Sequence, residues 1–105
     1  MDASAQFRGK CITVMGLGLL GRGVGDATYL AGCGAKLIVT DVKLREELAE
    51  SVAQLESFRN IKFVLGEHRL EDFRGRDLIL KAAGVPLDSP YITEAHKNGI
   101  PVRMS

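Results

Sequence analysis

The sequence predicts an α/β domain, an open parallel sheet of about five strands joined by crossover helices. Short β-branched runs alternate with segments of helical periodicity along the whole chain, which is the pattern of parallel strands connected by helices. Glycine- and proline-containing turns separate these segments. The 105 residues, 46% of them hydrophobic, suit one domain with a single core, so residues 1–105 are predicted to form one unit.

The first half of the chain predicts two strands and two helices. Residues 11–15 (CITVM) form an apolar run typical of a buried strand, and the following helix is predicted to end at Gly34, where a left-handed residue is favoured. Residues 36–40 (KLIVT) predict a second strand that ends at Asp41. One apolar stripe then predicts an amphipathic helix, with Leu44, Leu48, Val52, Leu55 and Phe58.

The second half predicts three further strands and one clear helix. Residues 61–65 and 78–82 predict the third and fourth strands, with one helical turn at most in the polar segment HRLEDFRGRD. Ser89 is a plausible N-cap and Pro90 the first residue of a short helix that ends before Gly99. Residues 100–102 predict a last strand, with Pro101 at its start or at a sheet edge.

Charge and cysteine content exclude several classes of function. The formal net charge of +1 gives no electrostatic basis for binding nucleic acid or an anionic membrane, and no apolar run is long enough to span a membrane. Cys11 and Cys33 lack the spacing of metal ligands, and buried reduced thiols fit the cytoplasm.

The glycine-rich stretch VMGLGLLGRGVGD contains Gly16-x-Gly18-x-x-Gly21 at the first strand-to-helix turn. In such a turn the glycines permit a tight bend, a close approach of a ligand and close helix packing, and the helix start favours a diphosphate. Asp41 ends the second strand, where a dinucleotide site has its ribose-binding carboxylate. Together these features predict a Rossmann-like, nucleotide-binding sheet.

Structural interpretations stand beside these functional ones. The glycines could serve only tight packing, and Asp41 could be an exposed carboxylate that caps the next helix. Lys81 lies in an apolar run, where an unpaired ammonium is unfavourable, and it could reach either solvent at the strand end or the ligand.

The carboxyl ends of the strands bring four loops to one edge, which predicts a ligand longer than a single nucleotide ring. They are residues 17–21, residues 41–43, Gly66 and Gly84. We find no P-loop and no acid–base or nucleophile set. The sequence therefore predicts a binding domain, in which His68 and His96 are structural or solvated and Asp72 and Asp77 are solvated.

Four segments together resemble the N-terminal domain of the Mur ligases, in particular their D-glutamate-adding members. They are FRGKCITVMGLGLLG, GAKLIVTDVK, LGEH and AAGVPLDSPYITEAHKNGIPV, and the resemblance runs from Phe7 to Val102. The glycine motif alone also fits an NAD-binding domain of a dehydrogenase or regulatory protein. The last segment distinguishes the two, because dehydrogenases do not follow their fourth strand in this way.

The resemblance implies that the domain binds the UDP part of UDP-N-acetylmuramoyl-L-alanine, a peptidoglycan precursor. By motif position, the diphosphate would meet the glycine turn at Gly18, Leu19, Leu20 and Gly21. The uracil end would meet Asp41, Val42 and Lys43, with Gly66 near the uridine. Leu20 and Val42 replace hydroxyl residues common in the family, and Ala82-Ala83-Gly84 replaces its Ser-Pro-Gly.

The resemblance also implies chemistry outside these 105 residues. In the family, a central domain holds ATP and Mg²⁺ and a C-terminal domain receives D-glutamate, so no cofactor and no catalytic residue is expected here. The complete enzyme would form an amide bond through an acyl phosphate, and the 105-residue piece alone would be inactive.

Overall fold

A computed structural model describes residues 3–17 and 22–104 and confirms the α/β, Rossmann-like prediction. In these two ranges, five strands form one sheet in which every strand pairing is parallel. They are β1 (Cys11–Met15), β2 (Lys36–Asp41), β3 (Ile61–Leu65), β4 (Leu78–Lys81) and β5 (Val102–Met104). Their order across the sheet is β3-β2-β1-β4-β5.

Among the described residues, three helices and two short 3-10 helices connect or precede the strands. The helices are α1 (Arg22–Gly32), α2 (Ala49–Leu55) and α3 (Pro90–Lys97), and the 3-10 helices span Ala3–Phe7 and Leu70–Phe73. The Ser89 side chain accepts a hydrogen bond from the backbone N–H of Tyr91, as its predicted N-cap role requires. Gly34 follows α1 with φ +89°, the predicted left-handed conformation.

The starts of two elements differ from the sequence prediction, and α2 and β4 end earlier than predicted, at Leu55 and Lys81. The α2 helix begins at Ala49, and Leu44 is exposed, so the apolar stripe starts at Leu48. The last strand begins at Val102 instead of Ile100, because the Ile100 N–H bonds back to Ala95 as part of the turn that ends α3. Pro101 precedes this strand, which lies at the sheet edge as predicted.

The helices cover the two faces of the sheet. The α1/α2 face is the sheet face under those two helices, where a large apolar cluster includes Leu30, Val39 and Leu55. The α3 face is the opposite one, under α3 and the Leu70–Phe73 turn, where a smaller cluster includes Phe73, Ile79 and Ile92. Each strand therefore alternates its side chains between two covered faces.

The order of the strands positions the candidate site. From β1 the chain builds outward through β2 to β3, and it then returns to form β4 on the other side of β1. The direction of build-up thus reverses between β1 and β4, and ligands of such sheets bind at the carboxyl ends of the strands beside this switch point. Within the described ranges, no helix has the length and apolar character needed to cross a membrane.

Candidate functional site

The carboxyl edge of the sheet brings together the ends of β1, β2 and β3. Gly16, directly after β1, has φ +90°, and its N–H donates to the Thr40 carbonyl at 2.8 Å. Leu17 then enters the core and is fully buried. The predicted diphosphate contacts Gly18, Leu19, Leu20 and Gly21 follow and lie outside the described residues, so their assignment stays a prediction.

Asp41 joins the turn after β1 to the loop after β2. Its Oδ2 accepts the backbone N–H of Leu17 at 3.0 Å, and its Oδ1 accepts the N–H of Lys43 at 2.9 Å. The side chain is buried and lies eight residues before α2, so it is neither exposed nor a cap of that helix. A carboxylate offers about four acceptor positions. Asp41 therefore fixes both loops and keeps acceptor capacity for a ligand.

Gly66 closes the loop after β3 onto the same region. Its φ is +90°, and its N–H is shared by the carbonyl oxygens of Asp41 and Lys43, each at 2.9 Å. A Cβ built at Gly66 would lie 3.2 Å from Cδ2 of Leu44. The glycine is needed for this left-handed bend, and its N–H is already occupied by the protein.

Val42 and Lys43 are exposed beside Asp41, so both are accessible from solvent at the predicted uracil end. Val42 exposes 62% of its surface and Leu44 exposes 55%, so two apolar side chains are accessible beside Asp41. The structure thus brings Asp41, Val42, Lys43 and Gly66 together at one edge. Leu44, which sequence reasoning assigned to a helix stripe, also belongs to this edge.

Part of the glycine-rich stretch serves packing. A Cβ built at Gly23 would lie 2.5 Å from the Leu17 Cα, and one at Gly16 would lie 3.0 Å from Cβ of Ala82. Gly23 also donates its N–H to the Leu17 carbonyl at 3.0 Å. Sequence reasoning gave the close helix packing to Gly21, whereas among the described residues it is Gly23 that allows α1 to approach β1.

His68 is packed against the end of β2 instead of being solvated. Its ring lies against those of Phe73 and Tyr91, with centroids 6.3 and 5.2 Å away. The Thr40 hydroxyl donates its hydrogen to the Glu67 carbonyl at 3.1 Å and lies 2.9 Å from His68 Nδ1. Because Thr40 has only one hydroxyl hydrogen, both contacts are hydrogen bonds in the His68 tautomer that is protonated at Nδ1.

The environment of His68 lowers its pKa below the usual value. Burial is the main cause, because it disfavours the charged imidazolium, and the negative charges of Asp41 and Asp72 partly oppose it. The charge of Asp41, the carboxylate of the candidate site, therefore contributes to the pKa of His68.

The two aspartates predicted to be solvated bond to the protein. Asp72 is buried, and Arg69 donates to both of its carboxylate oxygens at 3.0 Å, which corrects the prediction. Asp77 is exposed as expected, but its Oδ2 also accepts the N–H of Cys11 at 2.8 Å at the opposite edge of the sheet.

Lys81 does not reach solvent at the strand end. Its side chain is buried on the α3 face, and its Nζ donates to the carbonyl of Val85 at 2.9 Å. Sequence reasoning identified the unusual lysine but could not supply its acceptor, which lies in the turn after β4.

The chemistry available at this edge is hydrogen bonding and charge. Among residues 3–17 and 22–104, no cluster of three or more His, Cys, Asp or Glu side chains could hold a metal ion. The edge combines a buried carboxylate, an exposed cation and exposed apolar side chains around a glycine turn. That combination suits recognition of a ligand with a polar base or sugar and an anionic group.

Sequence comparison identifies similar proteins over most of the chain. A family model for "Mur ligase MurD-like, N-terminal domain" matches residues 10–104. The UDP-N-acetylmuramoylalanine–D-glutamate ligase of Treponema pallidum is 39% identical over 95 residues, which are 90% of this chain and 16% of that protein. The enzyme of the same name from Roseiflexus sp. is 40% identical over 99 residues, 94% of this chain and 21% of that protein.

Solved structures show the same fold. A pseudomurein peptide ligase type C from Methanothermus fervidus superposes with a TM-score of 0.67 at 24% identity, over 90% of this chain and 19% of that one. The A chain of dipicolinate synthase from Bacillus subtilis also gives 0.67, at 16% identity, over 94% and 38% of the two chains. This chain spans about a fifth of the length of the curated relatives it matches.

Proposed function

This chain belongs to the MurD-like N-terminal domain family of the Mur ligases, and on that premise we propose that it binds the UDP part of UDP-N-acetylmuramoyl-L-alanine. The family places it in peptidoglycan synthesis. The relatives' printed names describe addition of D-glutamate to UDP-N-acetylmuramoylalanine, so we propose D-glutamate as the second substrate of the complete enzyme.

One observation carries the proposal, the placement of the Asp41 carboxylate. It bonds to the backbone on both sides of the predicted nucleotide site, at Leu17 and at Lys43. Its remaining acceptor positions suit the hydroxyl groups of a ribose or the N–H of a uracil ring. Because the carboxylate is already oriented by two backbone N–H groups, little side-chain freedom is lost when a ligand binds.

The diphosphate is assigned to the residues before α1. The helix begins at Arg22, directly after residues 18–21. Its dipole favours an anion there, although the Gly23 N–H is already bonded to the Leu17 carbonyl. The side chains of Val42 and Lys43 supply an apolar surface and a positive charge at the uracil end. Gly66 keeps the edge free of a side chain at this point.

The domain would act as a holder of the substrate. Contacts to the nucleotide, remote from the reacting carboxylate, supply binding energy that can orient the substrate for reaction elsewhere. We propose that other domains of the complete enzyme bind ATP and Mg²⁺ and form the amide bond, so the 105-residue chain alone is inactive. The proposal includes the cytoplasmic location that the resemblance implies.

A titration tests the ligand class. Backbone amide shifts would be followed during addition of UDP and, separately, of NADH. We expect UDP to shift Leu17, Lys43 and Gly66 at lower concentration than NADH does. Tighter binding of NADH would replace the proposal with an NAD-binding domain of a dehydrogenase or regulatory protein, which the glycine motif and Asp41 also fit.

Replacing Asp41 tests the observation itself. Asp41→Ala should weaken UDP binding by about 1–3 kcal/mol, because a buried hydrogen-bond acceptor is lost at the site. Asp77→Ala is the matched control, since Asp77 also accepts a backbone N–H but at the amino edge of the sheet. Isothermal titration should show unchanged UDP affinity for that control. Equal losses in both variants would mean that only fold stability had changed.

A further inference from the structure

Lys81 carries a positive charge into the interior with little to balance it. It is the last residue of β4, and only 3% of its surface is exposed. Its ammonium has three hydrogens to donate, and one goes to the Val85 carbonyl. The ion pairs in the described part of the chain involve Arg69 and Arg74, and none includes Lys81. A buried charge without a carboxylate partner is unfavourable in the ligand-free protein.

The position of Lys81 coincides with the switch point of the sheet. It pairs with Met15, the last residue of β1, and the Ala82 N–H continues that ladder to the Met15 carbonyl at 2.9 Å. The Val85 N–H bonds to the Ala82 carbonyl, which forms a turn over the end of β4. The backbone of Lys81 therefore lies beside the end of β1, directly before the glycine-rich stretch, and its ammonium reaches the carbonyl of Val85 in this turn.

We propose that Lys81 is an anion-binding residue of this crevice, which balances a phosphate group of a ligand held between the ends of β1 and β4. The inference rests on the proposed nucleotide function and extends it to a residue on the α3 face. In the free chain the ammonium donates one hydrogen bond to the Val85 carbonyl. When a ligand binds, one or both of its other N–H groups donate charge-assisted hydrogen bonds to phosphate oxygens.

A purely structural role makes different predictions. If Lys81 only fastens the turn at Val85, removing it destabilises the free chain and weakens every ligand equally. If it balances an anion, removing the charge stabilises the free chain and weakens only ligands that contain phosphate. Lys81→Gln separates the two roles well, because its amide can still donate to Val85 while the charge is gone.

The experiment compares Lys81→Gln and Lys81→Met with the wild type and with Lys10→Met. Lys10 is an exposed lysine before β1, so its variant changes net charge equally at the other edge. UDP, uridine and inorganic pyrophosphate are titrated, and melting temperatures are measured without ligand. We expect UDP affinity to fall roughly 10- to 100-fold in Lys81→Gln, the effect of a lost charged hydrogen bond, with uridine unchanged. Lys10→Met should leave both affinities unchanged.

Several results would overturn the inference. Unchanged UDP affinity in Lys81→Gln excludes a phosphate contact, whereas equal losses for UDP and uridine with a lower melting temperature leave only the structural role. If the wild type binds neither UDP nor uridine, the proposed function fails separately. The effect of pyrophosphate on the melting temperature then decides. If pyrophosphate stabilises the wild type but not Lys81→Gln, the anion site is supported. If pyrophosphate does not stabilise the wild type, the anion site is excluded. Should Lys81→Met fail to fold, Lys81→Gln carries the test.

Discussion

The two faces of the sheet differ in the polarity of their buried side chains. The main cluster on the α1/α2 face consists of apolar side chains throughout. The α3 face contains apolar residues too, but Thr13, Thr40, Asp72 and Lys81 are buried there among them. The α1/α2 face is therefore stabilised by the packing of apolar side chains. The α3 face also depends on hydrogen bonds, each of which needs its own partner.

The polar groups of the α3 face are fixed by specific partners. The Thr13 hydroxyl donates to the Asp72 carbonyl at 2.7 Å and accepts from Arg76 Nε at 3.1 Å. No buried side-chain nitrogen or oxygen in the described residues lacks a partner. The same face contributes Lys81 and His68 to the carboxyl edge. The difference teaches that the α3 face depends on polar partners for its buried groups. The α1/α2 face depends on apolar packing up to the carboxyl edge, where Asp41 follows Val39 on the same side of β2.

The largest expected effect tests how closely α1 must approach the sheet. Gly23→Val should lower the free energy of unfolding by about 3 kcal/mol or more, because its Cβ would meet backbone atoms of Leu17 that cannot move aside. The matched control is Gly25→Ala on the exposed side of the same helix, where no atom lies within 4 Å. It should raise stability by about 0.5–1 kcal/mol through helix propensity. Urea unfolding of both variants measures the contrast, and a stable Gly23→Val would show that α1 can shift without loss.

Two adjacent residues of β2 allow the polarity of each face to be changed separately, by placing a hydroxyl on one face or removing it from the other. Val39 points to the α1/α2 face and Thr40 to the α3 face, and both are fully buried. Val39→Thr should lose about 1–3 kcal/mol of stability because it buries a hydroxyl among apolar groups. Thr40→Val should lose about 1 kcal/mol, since the bonds to Glu67 and His68 disappear.

Urea unfolding measures both β2 variants, and the His68 proton resonances distinguish them. Only Thr40→Val should move those resonances, because Thr40 contacts the imidazole and Val39 points to the opposite face. Neutral effects in both variants would remove the distinction between the faces.

The smallest expected effect is a pH dependence that originates on the α3 face. The pKa of His68 is lowered in the folded chain by burial, so the unfolded chain binds a proton more readily. Stability should therefore be complete above the usual histidine pKa, near 6.5, and decrease as the pH falls below it towards the lowered folded value.

Thermal unfolding at pH 7.5 and pH 5.5 measures this term. His68→Gln should reduce the loss of stability between the two pH values. His96→Gln, at an exposed position of α3, is the control and should retain the full loss. An unchanged pH dependence in His68→Gln would assign the effect to the carboxylates.

Local patterns predicted much of the fold. The five strands, their alternation with helices, and the left-handed Gly34 follow from hydrophobic period and turn chemistry, which are properties of neighbouring residues. The position of Asp41 at the end of a strand also followed from the sequence. Its bond to the Lys43 N–H, two residues on, is a local turn contact of the kind that aspartate side chains form. Its bond to Leu17 did not follow, because it depends on how two loops meet, which no local pattern encodes.

The predictions that failed concern groups whose partners come from elsewhere. Asp72 lies in a polar stretch that reads as solvated, yet the Leu70–Phe73 turn folds it under Arg69 and against β1. The start of β5 moved because the end of α3 uses Ile100 in its closing turn. Such choices are made when elements pack, and they were accessible only from the structure.

The position of β1 in the sheet has a consequence for the order in which the chain can fold. This first strand is central, and its second neighbour β4 joins it across 66 residues, as the bond from Cys11 to Asp77 shows. While a ribosome is still making the later segments, β1, β2 and β3 can pair, but one edge of β1 stays open. Open strand edges invite pairing with other chains, and distant pairings form slowly. Synthesis of β4 therefore ends the interval in which a nascent chain is most exposed to aggregation.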